Sequence, residues 1–245
     1  NVDFVVNAAA LKQVPAAEYN PIEFVKTNII GSQNIINAAL SNNVKKVISL
    51  STDKAAAPVN LYGATKLCSE KLFVSANNIS GGTLTKFCCV RYGNVLGSRG
   101  SVLPLFIKQK NEKYFTITNP NMTRFNIMMN EAINIVFYAL SKKIDGEIFI
   151  PKLKSFKVTD LAKAIDNKKR NKYVGIRFGE KLHEELITKE ESKYAYYNGK
   201  CYILKENIKK IKKSSLKRSY NSLENEDKLN VNELKKLIKK FNEFY

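Results

Sequence analysis

Histidine is nearly missing: His183 stands alone among 245 residues. One imidazole excludes a histidine-based metal site and leaves few ways to build a Ser-His pair. Arginine is scarce as well, with 6 Arg against 35 Lys and 27 Asn in a chain of net charge +19. Base and phosphate recognition favours the arginine fork. The positive charge therefore reads as a bias toward lysine and asparagine, and no nucleic-acid partner is expected. Its densest stretch, residues 200–220, reads as solvated surface. No apolar run reaches the roughly 20 residues that span a bilayer, and no basic-then-apolar leader opens the chain, so no membrane partner is expected. The four cysteines, Cys68, Cys88, Cys89 and Cys201, form no C-x-x-C pair. They read as buried thiols of a reducing, cytoplasmic compartment. Cys88 and Cys89 are neighbours in a strand-like run and are expected to face opposite ways.

Short β-branched runs alternate with helical patterns. Strands are expected at residues 2–7 (buried), 45–51, 86–92 and 147–150, and helices at 21–40, 60–76, 130–140, 158–165 and 231–244. The second helix is expected to use Leu61, Leu67, Leu72 and Phe73 as its apolar side. Strand–helix–strand alternation with crossovers of this length implies an α/β fold with a doubly wound parallel sheet. Beyond residue 151 the pattern becomes irregular, which predicts a smaller α+β domain. The expected division is 1–112, with 131–150 returning to it, against 113–245. Residues 205–228 are the stretch expected to be mobile.

Doubly wound sheets bind ligands at the carboxyl ends of their strands. Three polar or small clusters follow the strands here: residues 7–10, 51–54 and 92–94. Between the second and third, Tyr62 and Lys66 are four apart on one helix face. An ammonium beside a phenol favours the phenolate, and such a tyrosine can take a proton from a substrate hydroxyl. Tyr138/Lys142 and Tyr196/Lys200 share this spacing and read as surface pairs. Context separates Tyr62/Lys66, because Ser51, Thr52, Asp53 and Lys54 bring hydroxyls, an acid and an amine to the preceding strand's end. The plainer alternative is that Ser51 to Asp53 cap a turn and Lys54 is merely exposed.

The strings Ala8-Ala9-Ala10-Leu11-Lys12, Asn20-Pro21, Thr27-Asn28, Ser51-Thr52-Asp53-Lys54-Ala55, Tyr62-Gly63-Ala64-Thr65-Lys66 and Arg91-Tyr92-Gly93-Asn94-Val95 resemble an extended short-chain dehydrogenase/reductase. They are most similar to the inverting UDP-N-acetylglucosamine 4,6-dehydratases, which begin pseudaminic acid and surface-glycan synthesis. The likeness continues through Gly97 to Ser101, Met122 to Phe125 and Gly175 to Lys181. Thr52-Asp53-Lys54 carries the distinction. Related 4-epimerases usually have small hydroxyl residues there, and dTDP-glucose dehydratases resemble Thr-Asp-Glu. Membrane-bound relatives commonly have Met in place of Tyr62.

The resemblance implies a Rossmann-type sheet lacking its first strands and a cytoplasmic lyase acting on UDP-GlcNAc with NADP (or NAD). Tyr62, supported by Lys66 and Thr52, would take the O4 proton while the C4 hydride leaves for the cofactor. Lys54 would take the C5 proton, and Asp53 would protonate the departing O6 hydroxyl. Hydride return to C6 and reprotonation at C5 from the opposite face would invert that centre. The implied cofactor contacts are Ala8, Ala9, Asn28, Ser51, Tyr62, Lys66, Tyr92 and Asn94. The implied substrate contacts are Lys12, Asn94, Val95, Arg99, Gly100, Ser101, Val102, Leu103, Thr116, Arg124, Arg177 and Glu180. Arg124 and Arg177 suit a diphosphate, the alternative being salt bridges to Glu180 or Glu184. A homo-oligomer is implied and no metal is.

One family element is missing. No Gly-rich turn opens the fold, and family members carry about 80 residues before the position of Asn1, including that pyrophosphate-binding turn. The expectation is an N-terminally truncated member with a raw sheet edge. Phe178 and Asn126 also depart from the family pattern, at positions where Pro and an aromatic are usual. The rival readings are a nucleotide-sugar 4-epimerase and an inactive remnant or interaction module retained for its basic surface.

Overall fold

A computed structural model describes residues 2–79, 83–205, 216 and 218–244, the last three residues of that range by backbone alone. The Lys86–Tyr92 strand is buried except at its two ends, and Lys46–Thr52 has no exposed residue. That is the mark of a parallel sheet covered on both faces. They pair in parallel from Lys46 opposite Lys86 to Thr52 opposite Tyr92. The full sheet runs Phe4–Asn7, Lys46–Thr52, Lys86–Tyr92, Ile148–Pro151, Cys201–Leu204, Ala195–Tyr197, and its first four strands are parallel. Cys88 and Cys89 do face opposite ways. Cys88 packs with Ile135 and Ala139 of the Met129–Ser141 helix, while Cys89 lies against the Glu70 carbonyl on the other face.

The chain divides into two compact units. The first comprises Asn1–Tyr92, Asn130–Lys152 and Glu185–Tyr220, and the second Gly93–Met129, Leu153–Glu184 and Asn221–Tyr245. The expected boundary at residue 112 thus lies inside the second unit. Residues 185–220, expected in the substrate domain, belong to the first because two of their strands extend its sheet.

Four expectations for the first unit are corrected. The strand at residues 2–7 is shorter, Phe4–Asn7, and only Asn7 is buried; Phe4 and Val6 are 53% and 44% exposed. Among the described residues it is an edge strand, paired on one side only. The helix at 21–40 is interrupted by a π-helical stretch, Val25–Ile30, between Pro21–Phe24 and Gly31–Ser41. The Leu61–Ser75 helix does not bury the predicted leucines. Its buried face is Tyr62, Thr65, Lys66, Ser69, Glu70 and Phe73, one helical stripe that is mostly polar. Hydrophobic periodicity could not find it, because its buried polar groups are satisfied by hydrogen bonds to neighbouring elements, Thr65 to Asn28, Ser69 to Ser32, Lys66 to Leu50 O and Glu70 to Ser51. Cys68, on the same helix, is exposed rather than buried.

The second unit is more regular than its sequence suggests. Asn94–Val95, Thr123–Ile127 and Lys154–Lys157 form a three-stranded sheet, and Tyr114–Ile117 pairs in parallel with Arg170–Tyr173. Strands of two to five residues are too short to leave a clear period. Leu103, Phe106, Phe115, Leu161 and Leu234 form the core, with the Val158–Ile165 and Val231–Phe244 helices contributing from their apolar faces. Of residues 205–228, expected to be mobile, 206–215 and 217 lie outside the described residues, as does most of the basic run.

Candidate active site

The Leu61–Ser75 helix begins where the Lys46–Thr52 strand has just ended. Asn60 caps it: its backbone is extended and its Oδ1 accepts from Gly63 N at 2.8 Å. Gly63 is required by the close approach of the turn before it, since a Cβ there would overlap the Lys54 carbonyl oxygen. This contact seats Tyr62 over the segment Thr52–Lys54. Tyr62 is buried, packed with Ala17 and Phe24.

At the strand end, Asp53 continues the sheet, its N–H donating to Tyr92 O at 3.1 Å. Its Oδ1 accepts from Thr52 Oγ1 at 2.9 Å and from Lys54 Nζ at 2.9 Å. The carboxylate is fully buried, whereas the Lys54 side chain is 24% exposed. Burial pushes the Tyr62 phenol above its ordinary value; the Lys54 charge and a hydrogen bond with Thr52 oppose that push, and Asp53 adds to it. Lys54 is thus a cation that acts on the phenol. Lys66, given that role by helical spacing, donates to the Leu50 carbonyl at 2.8 Å, and burial lowers its own pKa. Tyr92 is raised by burial and by Tyr62.

Asn28 lies in the π-helical stretch, a distortion common at functional sites. Its amide makes three bonds: to Leu11 N and Leu11 O, both at 2.9 Å, and to Thr65 Oγ1 at 3.0 Å. It thus fixes the segment after the first strand, where Ala8, Ala9 and Lys12 are exposed. Ser51 Oγ is committed to Glu70 at 2.6 Å. Of the other two Tyr/Lys pairs, the first is a surface cation–π contact, with Lys142 and also Lys200 over the Tyr138 ring at 4.7 and 4.5 Å.

The remaining expected residues lie in the second unit. Asn94 and Val95 pair with Asn126 and Ile127. Arg99 and Gly100 are in the following turn, Ser101 precedes the Val102–Lys108 helix, and Val102 is half-buried. Leu103 is a core residue. Thr116 is bonded twice to Gln109, through its hydroxyl at 2.7 Å and its N–H at 3.0 Å. Arg124 is buried, and its guanidinium meets Glu180 at 3.4 Å and Glu184 at 3.5 Å. Arg177 is exposed, its N–H directed at Glu180 Oε2 at 3.4 Å. His183 shares a 2.8 Å bond with Thr123 Oγ1, and burial and Arg124 hold its pKa down. Phe178 is exposed in the same loop.

A family model described as polysaccharide biosynthesis protein matches residues 1–206. The chain belongs to that family. The family member is 52% identical over 217 residues to the inverting UDP-N-acetylglucosamine 4,6-dehydratase of Campylobacter jejuni, covering 88% of this chain and 65% of that protein's length. It is 41% identical over 252 residues to the UDP-glucose 4-epimerase of Rickettsia felis, covering 97% of this chain and 74% of that one. Among solved structures, Pen from Bacillus thuringiensis superposes with a TM-score of 0.89 at 38% identity, over 98% of this chain and 76% of that chain. Among the described residues no helix is long and apolar enough to cross a membrane, and no cluster of metal-ligating side chains occurs.

Sequence reasoning missed Glu70 and Arg91 as site residues. Glu70 repeats the Tyr62–Lys66 spacing once more along the helix, a signal present in the sequence.

Proposed function

We infer that this family member is the catalytic portion of a nucleotide-sugar dehydratase that removes water from UDP-GlcNAc across C5 and C6, inverting C5. One observation carries the reading: the 2.9 Å contact between Lys54 Nζ and Asp53 Oδ1, with Thr52 bonded to the same oxygen and Tyr62 alongside. A 4-epimerase needs the tyrosine. Elimination needs an additional base and an additional acid, and this pair supplies both. The 52% identity to an inverting dehydratase supports the same reading.

Protonation of the two groups is coupled. As an ion pair, Lys54 cannot accept a proton and Asp53 cannot donate one. Moving one proton along their shared bond gives a neutral amine and a carboxylic acid at unchanged net charge. Loss of water around a bound substrate favours that neutral form. Lys54 then takes the C5 proton and Asp53 gives its proton to the departing O6 hydroxyl. Tyr62 takes the O4 proton, with Thr52 bonded to its phenol.

NADP (or NAD) fits the nicotinamide side of this unit. Lys66 is buried, with one of its three donors on Leu50 O, and Asn28 fixes the exposed loop holding Ala8 and Ala9. When bound, the nicotinamide supplies a hydride acceptor for C4 and a donor for C6. No Gly-rich turn for a pyrophosphate follows the Phe4–Asn7 strand. The nucleotide-sugar contacts proposed in the second unit are Asn94, Val95, Arg99 to Leu103, Thr116, Arg124, Arg177 and Glu180. For Arg124 the paired carboxylates favour a structural share, and the Leu103 side chain is committed to the core.

The test is incubation with UDP-GlcNAc and NADP or NAD in deuterium oxide, read by mass spectrometry. A product lighter by one water and labelled at C5 supports the dehydratase. A C4 epimer without loss of water supports the epimerase reading suggested by the Rickettsia relative. Unchanged substrate in a preparation that binds both ligands overturns both.

A further inference from the structure

The buried face of the Leu61–Ser75 helix carries three ionisable side chains one turn apart: Tyr62, Lys66 and Glu70. The proposed chemistry uses the first two. Glu70 is as deeply buried, and its bonds reach back to the catalytic strand. Its Oε2 accepts from Ser51 Oγ at 2.6 Å and from Arg91 Nε at 3.1 Å, while Oε1 pairs with the other arm of Arg91. Ser51 and Arg91 are register partners on adjacent strands, one position before Thr52 and Tyr92. One carboxylate therefore ties together the two strand ends beneath Thr52, Asp53 and Lys54.

Arg91 meets a second carboxylate as well. Its NH1 and NH2 donate to Glu191 at 2.9 and 2.8 Å, and NH1 also donates to Leu186 O at 2.9 Å. A buried arginine needs one counter-charge and here has two. Glu191 is 24% exposed and also feels Lys71, whereas Glu70 is fully buried and lies one helical turn from the buried Lys66. The groups that act on Lys66 are Glu70, from its own helix, and Cys89, from the adjoining strand. Burial holds the Cys89 thiol neutral by pushing its pKa well up, so the charge that offsets Lys66's desolvation is that of Glu70. Lys54 and Asp53 act on Tyr62 instead.

We propose that Glu70 is a positioning residue: it locks the strand ends under Thr52 to Lys54 and supplies the counter-charge for the Lys66 ammonium. The assignment rests on the dehydratase reading for what Lys66 does, but its test needs no substrate. Lysine carrying ¹³C at Cε is incorporated into the full chain, and the Lys66 signal is assigned by its loss in Lys66→Arg. In Glu70→Gln, which keeps size but removes charge, Lys66 loses its proton at lower pH than in the parent, and Glu70→Asp falls between them. A folded Glu70→Gln in which Lys66 titrates as in the parent overturns the proposal. Should that variant not fold, Glu70→Asp decides alone: a downward shift supports the role and an unchanged titration overturns it. Absence of dehydrated product would sink the activity reading and leave this titration untouched.

Discussion

Lys54 Nζ lies 2.9 Å from Oδ1 of Asp53, its neighbour in sequence, and the acid is fully buried while the base reaches solvent. Adjacent residues in an extended strand point to opposite faces. They meet here because the strand ends at Thr52 and the chain turns directly after it, with Ala55 N bonded to Thr52 O at 3.0 Å.

Lys54→Met separates oxidation at C4 from elimination. The proposed base is lost while Tyr62 and Lys66 stay in place. The rate of water loss should fall by about 10²–10⁴-fold, the usual worth of a positioned base. Reduced nicotinamide should accumulate and be visible by its near-ultraviolet absorbance. Undiminished dehydration would remove Lys54 from the mechanism.

The pH dependence has a defined sign. Burial raises the Tyr62 pKa, so the phenolate, and with it kcat/KM, should increase as pH rises into the alkaline range. Thr52→Val removes a bond that lowers this pKa, and Lys54→Met removes a charge that lowers it. Both variants should displace the alkaline limb to higher pH. A limb unmoved in Thr52→Val would assign the titration to another group.

Gly63→Ala should be costly for a conservative change. The added methyl overlaps the Lys54 carbonyl oxygen, which belongs to the backbone and cannot rotate away. A loss of about 1–3 kcal/mol is expected from such overpacking, measured by urea denaturation. Displacement of the Lys54 turn should lower kcat more than it raises KM.

Thiol reactivity should single out Cys68. It is exposed, whereas Cys88, Cys89 and Cys201 are buried. Burial raises the pKa of all three, that of Cys201 to about 11. A thiol reagent near neutral pH should modify Cys68 in the native chain and all four cysteines after denaturation. Rapid modification of the other three would contradict the packing of the sheet.

The local features are legible in the residues themselves. Tyr62 and Lys66 are four apart, so any helix there presents them together. Ser51 to Lys54 follow a β-branched run, which places them at a strand's carboxyl end. The Val158–Ile165 and Val231–Phe244 helices are likewise readable, because their apolar faces alternate with charged ones. Phe4–Asn7 reads as buried and is not, because its apolar residues say nothing of how many neighbours the strand has.

What tertiary structure alone decides lies at long sequence separation. Glu70 joins Ser51 and Arg91, and Arg91 reaches Glu191, because parallel register aligns two strands and the crossover helix lies across them. Packing of the helix on the sheet also turns a polar helix face inward, against the hydrophobic pattern, and the Lys54 charge acts on Tyr62 from the preceding turn. Residue spacing specifies which groups share a face of one element. Which charges meet is determined by the packing of elements against each other, through burial and distance that no local pattern encodes.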